Sequence, residues 1–346
     1  MLIELAERRI LPDRLVRRGM RRLLRARLRE ETLLAAKGNR HERLKKLFAS
    51  GPIAIETAAA NEQHYEVPTA FYQQMLGPRL KYSSCWWPDN CQVNDRQALA
   101  TAEIAMLQLT CQRAQCADGQ RILELGCGWG SLTLWLAEQY PQSQIVAVSN
   151  SRVQQAFIQQ QCRQRQLTNV EVRVHNVAEL KLEEKFDRVL SVEMFEHMRN
   201  WQQLLTNVAA WLTLEGKCFL HTFCHCNLFY PFNVTSSTDW MAKHFFSGGV
   251  MPSYDLLEQL EIPLRVESQW EVNGNHYAKT CQAWLANLDA ASSNVIRLFA
   301  ADLGRLGASR QLARWRMFVM ACEELFAWDD GQQWFVSHTL LEHSGD

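Results

Sequence analysis

No stretch of this 346-residue sequence is apolar for long enough to cross a bilayer, and neither sign of charge dominates, with 37 Lys and Arg against 37 Asp and Glu. The first absence argues against a membrane-spanning helix. The second removes any whole-molecule pull toward nucleic acid or another polyanion. The 11 cysteines are odd in number and include no CxxC pair, so neither a structural zinc site nor a disulfide framework is expected. They read as reduced thiols of a cytoplasmic protein. Cys224, His225 and Cys226 come nearest to a metal motif, but adjacent residues at a strand end point apart, and no metal is expected there. Internal repeats and low-complexity segments are also missing.

What the chain does have is a basic beginning. Residues 8–29 are arginine-rich, and after Pro12 the apolar Val16, Met20, Leu23, Leu24 and Leu28 recur at helical spacing. This predicts a basic amphipathic helix, able either to lie on an anionic bilayer as a peripheral contact or to pack on its own chain with the arginines in solvent. Glu4, Glu7 and Asp13 interrupt the acid-poor pattern of a transit peptide. Helical, basic character continues to about residue 60 and closes in the linker-like GPIAIETAAANEQ. The expected division is a 1–60 extension, a 61–118 helical cap and a 119–346 core.

Within the core, strand and helix signals alternate. Strands are expected at 121–127, 144–150, 170–176, 186–193 and 217–223, with helices starting at Ser131, Ser151 and Trp201. Such alternation implies an α/β fold with a parallel sheet and helices on both faces, binding ligands at the carboxyl ends of its strands. An aromatic-rich insertion at about 224–262, with helical pieces near 239–246 and 254–260, is expected to cover an acceptor pocket. A strand at 264–272, a helical stretch at 276–328 and a last strand at 333–341 follow.

The first strand runs into ELGCGWG, residues 124–130. Gly126, Gly128 and Gly130 remove side chains that would keep a ligand off the backbone at the strand-to-helix turn. Plain packing is the alternative use of such glycines. The spacing GxGxG is one residue shorter than that of dinucleotide binders, and Glu124 would repel a pyrophosphate but could pair with a cationic amino group. This favours S-adenosylmethionine over NAD.

After the fourth strand stands VEMFEHMRN, which puts Glu193, Glu196 and His197 at the mouth of the site. At i and i+3 the two carboxylates are expected on one face of a turn. Either Glu196 caps the next helix and His197 packs, or the cluster removes a proton. An amine with a pKa of about 9.5 must lose its proton before it can attack a methyl, at a cost of about 3 kcal/mol at pH 7. On the chemical reading Glu196 and His197 form the base and Glu193 attracts the ammonium. Trp86, Trp87, Phe229, Tyr230, Phe245 and Phe246 are candidates for an apolar wall with cation–π capacity, at least half of them being ordinary core.

Five separated motifs carry a resemblance: HYEVPTAFYQQMLGPRLKYSSCWWP, ELGCGWG, MFEHM, FFSGGVMPS and NHYAKTCQAWLANLD. With LPDRLVRRGMRRLLRARLR they span nearly the whole chain. The sequence resembles the cyclopropane-fatty-acid synthase superfamily of S-adenosylmethionine methyltransferases, and within it the coclaurine N-methyltransferase branch. The resemblance implies a Rossmann-like class I methyltransferase fold with a mostly parallel seven-stranded sheet, a helical N-terminal extension and an inserted acceptor lid. It implies N-methylation of a small aromatic or alkaloid-like amine, with modification of unsaturated phospholipid acyl chains as the alternative. By the same resemblance Tyr82 and Ser83 would contact the methionine part of the cofactor, Ser149 and Gln154 its ribose and neighbouring groups, with Asn150 beside them as a cofactor-binding candidate, and Asn176 and Val177 its adenine. The lipid enzymes hold a bicarbonate ion, and Glu196, His221 and Tyr277 match that pocket. Ser84 stands where those enzymes have cysteine, with Cys85 one place late, which puts bicarbonate use in question. Without the resemblance, His221 and Tyr277 read as a buried hydrogen-bonded pair.

Overall fold

The computed structural model describes residues 2–55, 67–93, 95, 97–233 and 240–345. The expected linker from residue 56 onward, the boundary at 60–61 and the start of the helical piece at 239 lie outside the described residues. Strands β1 (Arg121–Leu125), β2 (Gln144–Ser149), β3 (Val170–Val174), β4 (Phe186–Val192) and β5 (Leu212–His225) pair in parallel. Their apolar runs suit strands buried on both faces. Alternation along β1 sends Ile122 to one face, against Leu107, Leu132 and Leu136, and Leu123 and Leu125 to the other, against Trp201, Leu205 and Val208.

The short strands β6 (Tyr230–Pro231) and β7 (Val250–Met251) pair in the insertion, while β8 (Leu264–Val272) and β9 (Trp334–His343) complete the main sheet. The seven-stranded order is β3-β2-β1-β4-β5-β9-β8, with β9 antiparallel to both neighbours. The order reverses between β1 and β4, so their carboxyl ends open a crevice there.

Two expectations need correcting. β5 begins at Leu212, five residues early, because an irregularity between Phe186 and Arg188 lets the chain leave the helix Trp201–Trp211 directly into pairing. The helical stretch expected at 276–328 is two helices, Gly274–Ala290 and Ser292–Phe326, the second kinked where Gly304 takes φ +65°.

The basic helix forms at Asp13–Lys37 and packs on its own chain. Arg17 reaches Glu323 at 2.5 Å and Glu324 at 3.0 Å, Arg21 reaches Glu324 at 2.8 Å, and Asp13 receives Arg316 at 2.7 Å. Val16, Met20 and Leu28 face the cluster beneath, whereas Arg14, Arg18, Arg22 and Arg29 are exposed with Leu15 and Leu23. Among the described residues no helix is long and apolar enough to cross a membrane. All eleven cysteines are free thiols.

Candidate active site

The turn after β1 folds back over β2: the Gly126 and Cys127 N–H groups both donate to the Val148 carbonyl at 3.0 Å. Gly126 sits at φ +80° and Gly128 at φ +52°, a region that L side chains rarely enter. A Cβ on Gly126 would lie 2.6 Å from Met194, while one on Gly128 would meet nothing within 4 Å and would project into the cleft. The backbone at Gly128 is therefore the bare surface a flat ligand needs. Gly130 does not line the cleft. It precedes the helix Ser131–Gln139, and a Cβ there would strike Ile158 at 2.7 Å, so its smallness serves packing.

Two adjoining cavities meet over this turn. The smaller is lined by Ser149, Asn150, Gln154, Asn176 and Val177, the five residues expected around ribose and adenine. Ser149 Oγ lies 2.6 Å from Gln154 Oε1, and Asn176 Oδ1 accepts the Ala178 N–H at 3.1 Å, so polar side chains here are held by their own neighbours. The larger cavity, about 160 Å³, is lined by Tyr82, Ser83, Glu124, Glu193 and Tyr277 among others. Gly126, Gly128, Gln154 and His197 border both. His197 thus stands at the junction.

Glu124 is buried at the end of β1 and accepts the Thr133 hydroxyl at 2.5 Å. Burial lifts its pKa to about 7, opposed by that hydrogen bond. No cation among the described residues is bonded to it. Ser131 Oγ and Trp284 Nε1 also line the larger cavity as buried polar atoms without a hydrogen-bond partner among the described residues. An open backbone cradle, an unpaired carboxylate and orphaned donors fit a ligand with an amino-acid end, and S-adenosylmethionine meets those demands.

Tyr82 and Ser83 are held by two residues that the sequence did not mark, Glu103 and Lys81. The buried Glu103, on the helix Ala98–Arg113, accepts the backbone N–H of Arg79 at 2.9 Å and of Lys81 at 3.3 Å, and Gly77 leaves room for its carboxylate. The Lys81 ammonium, wholly buried, donates to Ser83 Oγ at 2.5 Å and to the Ser84 carbonyl at 2.7 Å. Burial lowers its pKa, while Cys85, Glu193 and Glu103 nearby oppose this. A single buried lysine within the first motif gives no periodic signal, so only the fold reveals its burial.

The acidic cluster separates. Glu193 takes φ +48°, which breaks the turn expected to align the two carboxylates. Its side chain lines the cavity, while that of Glu196 turns away to the β5 backbone. Glu193 accepts the Ser84 N–H at 2.9 Å, the Tyr277 hydroxyl at 2.6 Å and lies 3.1 Å from His221 Nε2. Burial raises its pKa, opposed by Lys81, Tyr277 and the Ser84 N–H. Glu196, with no exposed surface, accepts the Phe223 N–H at 2.7 Å through Oε1, and Oε2 has no partner among the described residues. Burial, then the adjacent Glu193 charge, push its pKa well above the ordinary carboxylate range. Neither does it cap the next helix; Asn200 does, accepting the Gln203 N–H at 3.0 Å. Of the three residues of this cluster, Glu193 and His197 line the larger cavity and Glu196 does not.

His221 and Tyr277 come together as expected, but around Glu193 and not Glu196. That carboxylate fills the centre of the matched anion pocket and already takes its donors, so a bicarbonate ion does not fit beside it.

Of the six aromatic wall candidates only Phe246 lines the cavity. Trp87 is buried and donates to Thr280, Trp86 stacks on His276, Phe229 packs on Phe48, Tyr230 accepts from Trp334, and Phe245 stacks on Phe318. The wall comes instead from Phe223, Phe232, Met241 and Met251 on one side, and from Trp284, Phe318, Leu325 and Phe326 of the two late helices on the other. The insertion supplies only half the cover.

Comparison with known proteins agrees with this geometry. The chain is 36% identical over 294 residues to an (S)-coclaurine N-methyltransferase of Thalictrum flavum subsp. glaucum, covering 84% of this chain and 80% of that one. It is 29% identical over 277 residues to the cyclopropane-fatty-acyl-phospholipid synthase of Escherichia coli K12, covering 80% and 66%. A crystal structure of coclaurine N-methyltransferase bound to N-methylheliamine and SAH superposes with a TM-score of 0.91 at 32% identity, covering 99% of this chain and 98% of that one. The model of the mycolic acid cyclopropane synthetase family matches residues 54–334, and with its glycine cradle at the sheet's switch point the chain belongs to that family as an S-adenosylmethionine-dependent methyltransferase.

Proposed function

We propose that this enzyme methylates the nitrogen of a small, largely aromatic amine, the class of reaction named for its coclaurine N-methyltransferase relatives. One observation carries the reading: a carboxylate, Glu193, faces a cavity that Phe223, Phe232, Phe246, Trp284, Phe318 and Phe326 also line. That combination suits a cation with an apolar body. Glu124 would hold the cofactor's amino group, the Gly126–Gly128 backbone would underlie it, and Tyr82 and Ser83 would flank it. When bound, S-adenosylmethionine supplies an electrophilic methyl on a sulfonium, so that a C–N bond forms as the C–S bond breaks. Glu193 attracts the ammonium form, and Glu193 with His197 accepts its proton, freeing the lone pair for attack. The apolar wall excludes water and aligns the nitrogen, which supplies most of the rate when no covalent help is needed.

One observation favours contact with membrane lipid as a second reading. The helix Asp13–Lys37 keeps a row of arginines and Leu15 and Leu23 exposed on its outer side. The phospholipid alternative would use this face for docking, on an enzyme that is otherwise cytoplasmic. Incubating the protein with methyl-labelled cofactor and a mixed panel of aromatic amines and unsaturated phospholipids tests the assignment. Label in the amines supports it, and label only in the lipids overturns it.

A further inference from the structure

Behind Glu193 the hydrogen bonds form a directed chain. Arg113 Nη1 lies 2.9 Å from His338 Nδ1, His338 Nε2 lies 2.9 Å from His221 Nδ1, and His221 Nε2 lies 3.1 Å from Glu193 Oε1. Antiparallel pairing of β5 with β9 puts His221 and His338 directly opposite each other. A guanidinium can only donate, so His338 Nδ1 must accept and its proton sits on Nε2. That N–H donates to His221 Nδ1, which places the second proton on His221 Nε2, aimed at Glu193. A carboxylate can only accept, so both ends of the chain impose the same sense. The two rings are fully buried. Burial, then Lys81 and Arg113, keeps His221 neutral, and burial, then His221, Arg113 and Lys81, does the same for His338.

We propose that Arg113 and His338 are positioning residues for the methyl transfer: they fix His221 as an Nε2–H donor and through it hold Glu193 ionised and turned toward the acceptor cavity. The inference rests on Glu193 acting as the base in the reading above. The chain orients but does not drain protons. A proton passed outward from Glu193 would meet a nitrogen of His221 that is already protonated, and Arg113 at the far end does not release its own. Around Glu193 stand Lys81 and Cys85 from the segment before the first core helix, Glu196 from its own turn, Tyr277 and Cys281 from the helix Gly274–Ala290, and Cys322 from Ser292–Phe326. Lys81 is the sole cation in that set, and none of these groups changes when Arg113 or His338 is replaced.

Two measurements test the proposal. Ring-nitrogen NMR on the free enzyme should show His221 and His338 neutral and protonated at Nε2. In His338→Leu, shown folded by circular dichroism, the acidic limb of the kcat/KM profile for the amine should move up by about one pH unit, a loss of about tenfold at pH values below the limb. His338→Gln, whose amide can accept from Arg113 and donate to His221, should return the limb to its wild-type position. Arg113→Met should shift it in the same direction as His338→Leu. An Nδ1-protonated or cationic ring in the wild-type spectrum overturns the proposal, as does an unmoved limb in His338→Leu or one that His338→Gln leaves displaced. Should the wild-type enzyme methylate no amine, the proposed function fails, and the spectrum alone still decides whether the chain has the stated sense.

Discussion

Replacing Glu124 by Gln should push cofactor binding and folding stability in opposite directions. The buried carboxylate has no bonded cation among the described residues and takes only the Thr133 hydroxyl. Burial raises its pKa from an ordinary 4.5 to about 7. The folded chain thus holds this proton more tightly than the unfolded chain does. The cost of burial is absent below pH 4.5, grows as pH rises to about 7 and is complete above it. At 1.36 kcal/mol per pH unit the full cost is roughly 3 kcal/mol. Glutamine removes that cost but must satisfy an extra donor, worth about 1 kcal/mol. The net expectation for Glu124→Gln is about 2 kcal/mol of added stability at pH 8 and a loss of about 1 kcal/mol near pH 4, the difference between those two estimates at each pH. Affinity for S-adenosylmethionine should fall about tenfold to a hundredfold, since a hydrogen bond to a charged partner contributes about 1.5–3 kcal/mol. Urea unfolding at several pH values reads the first effect and calorimetric titration reads the second. In wild type, titration at pH 6.5 should also release protons, because a bound cation favours the ionised carboxylate. A variant that gains no stability between pH 4 and 8 and binds the cofactor like wild type would refute the placement of Glu124.

Gly128→Ala should remain folded, since a Cβ there touches nothing, at about 1–2 kcal/mol for its left-handed backbone, yet lose cofactor binding by calorimetry. Glu193→Gln should lower kcat about 10² to 10⁴-fold, the range for loss of a general base, whereas Glu196→Gln should stay within about threefold because Glu196 does not line the cavity. Equal losses in the two variants, by steady-state kinetics, would remove the distinction. Vesicle sedimentation tests the basic helix: retention on anionic vesicles that disappears at high salt supports docking, and no binding at low salt excludes it.

The alternation of strand and helix was legible because strands buried on both faces must be apolar, and Leu264–Val272 appears over the residues expected. The glycine turn was legible for a related reason: few side chains tolerate its backbone. The site's acid–base order was not. Whether Glu193 or Glu196 faces the cavity depends on one positive φ, and φ leaves no trace in residue spacing at a non-glycine position. Lys81 and Glu103 were hidden because charged residues normally mark surface, whereas here both are buried, Lys81 against Ser83 and Ser84 and Glu103 against the N–H groups of Arg79 and Lys81. His338 lies 117 positions from His221, and only strand pairing brings the rings together. The long helical stretch hid its break because Ala291 carries no breaking signal, and Gly304 alone reads as a tolerated glycine.

The most direct measurement is a crystal structure with S-adenosylhomocysteine and an aromatic amine bound together. The adenosyl group should run from Asn176 across Gly126–Gly128, with the amine nitrogen in hydrogen-bond reach of Glu193 or His197. A nitrogen held by Glu196, or an amine outside the cavity between Phe246 and Phe326, would contradict the account.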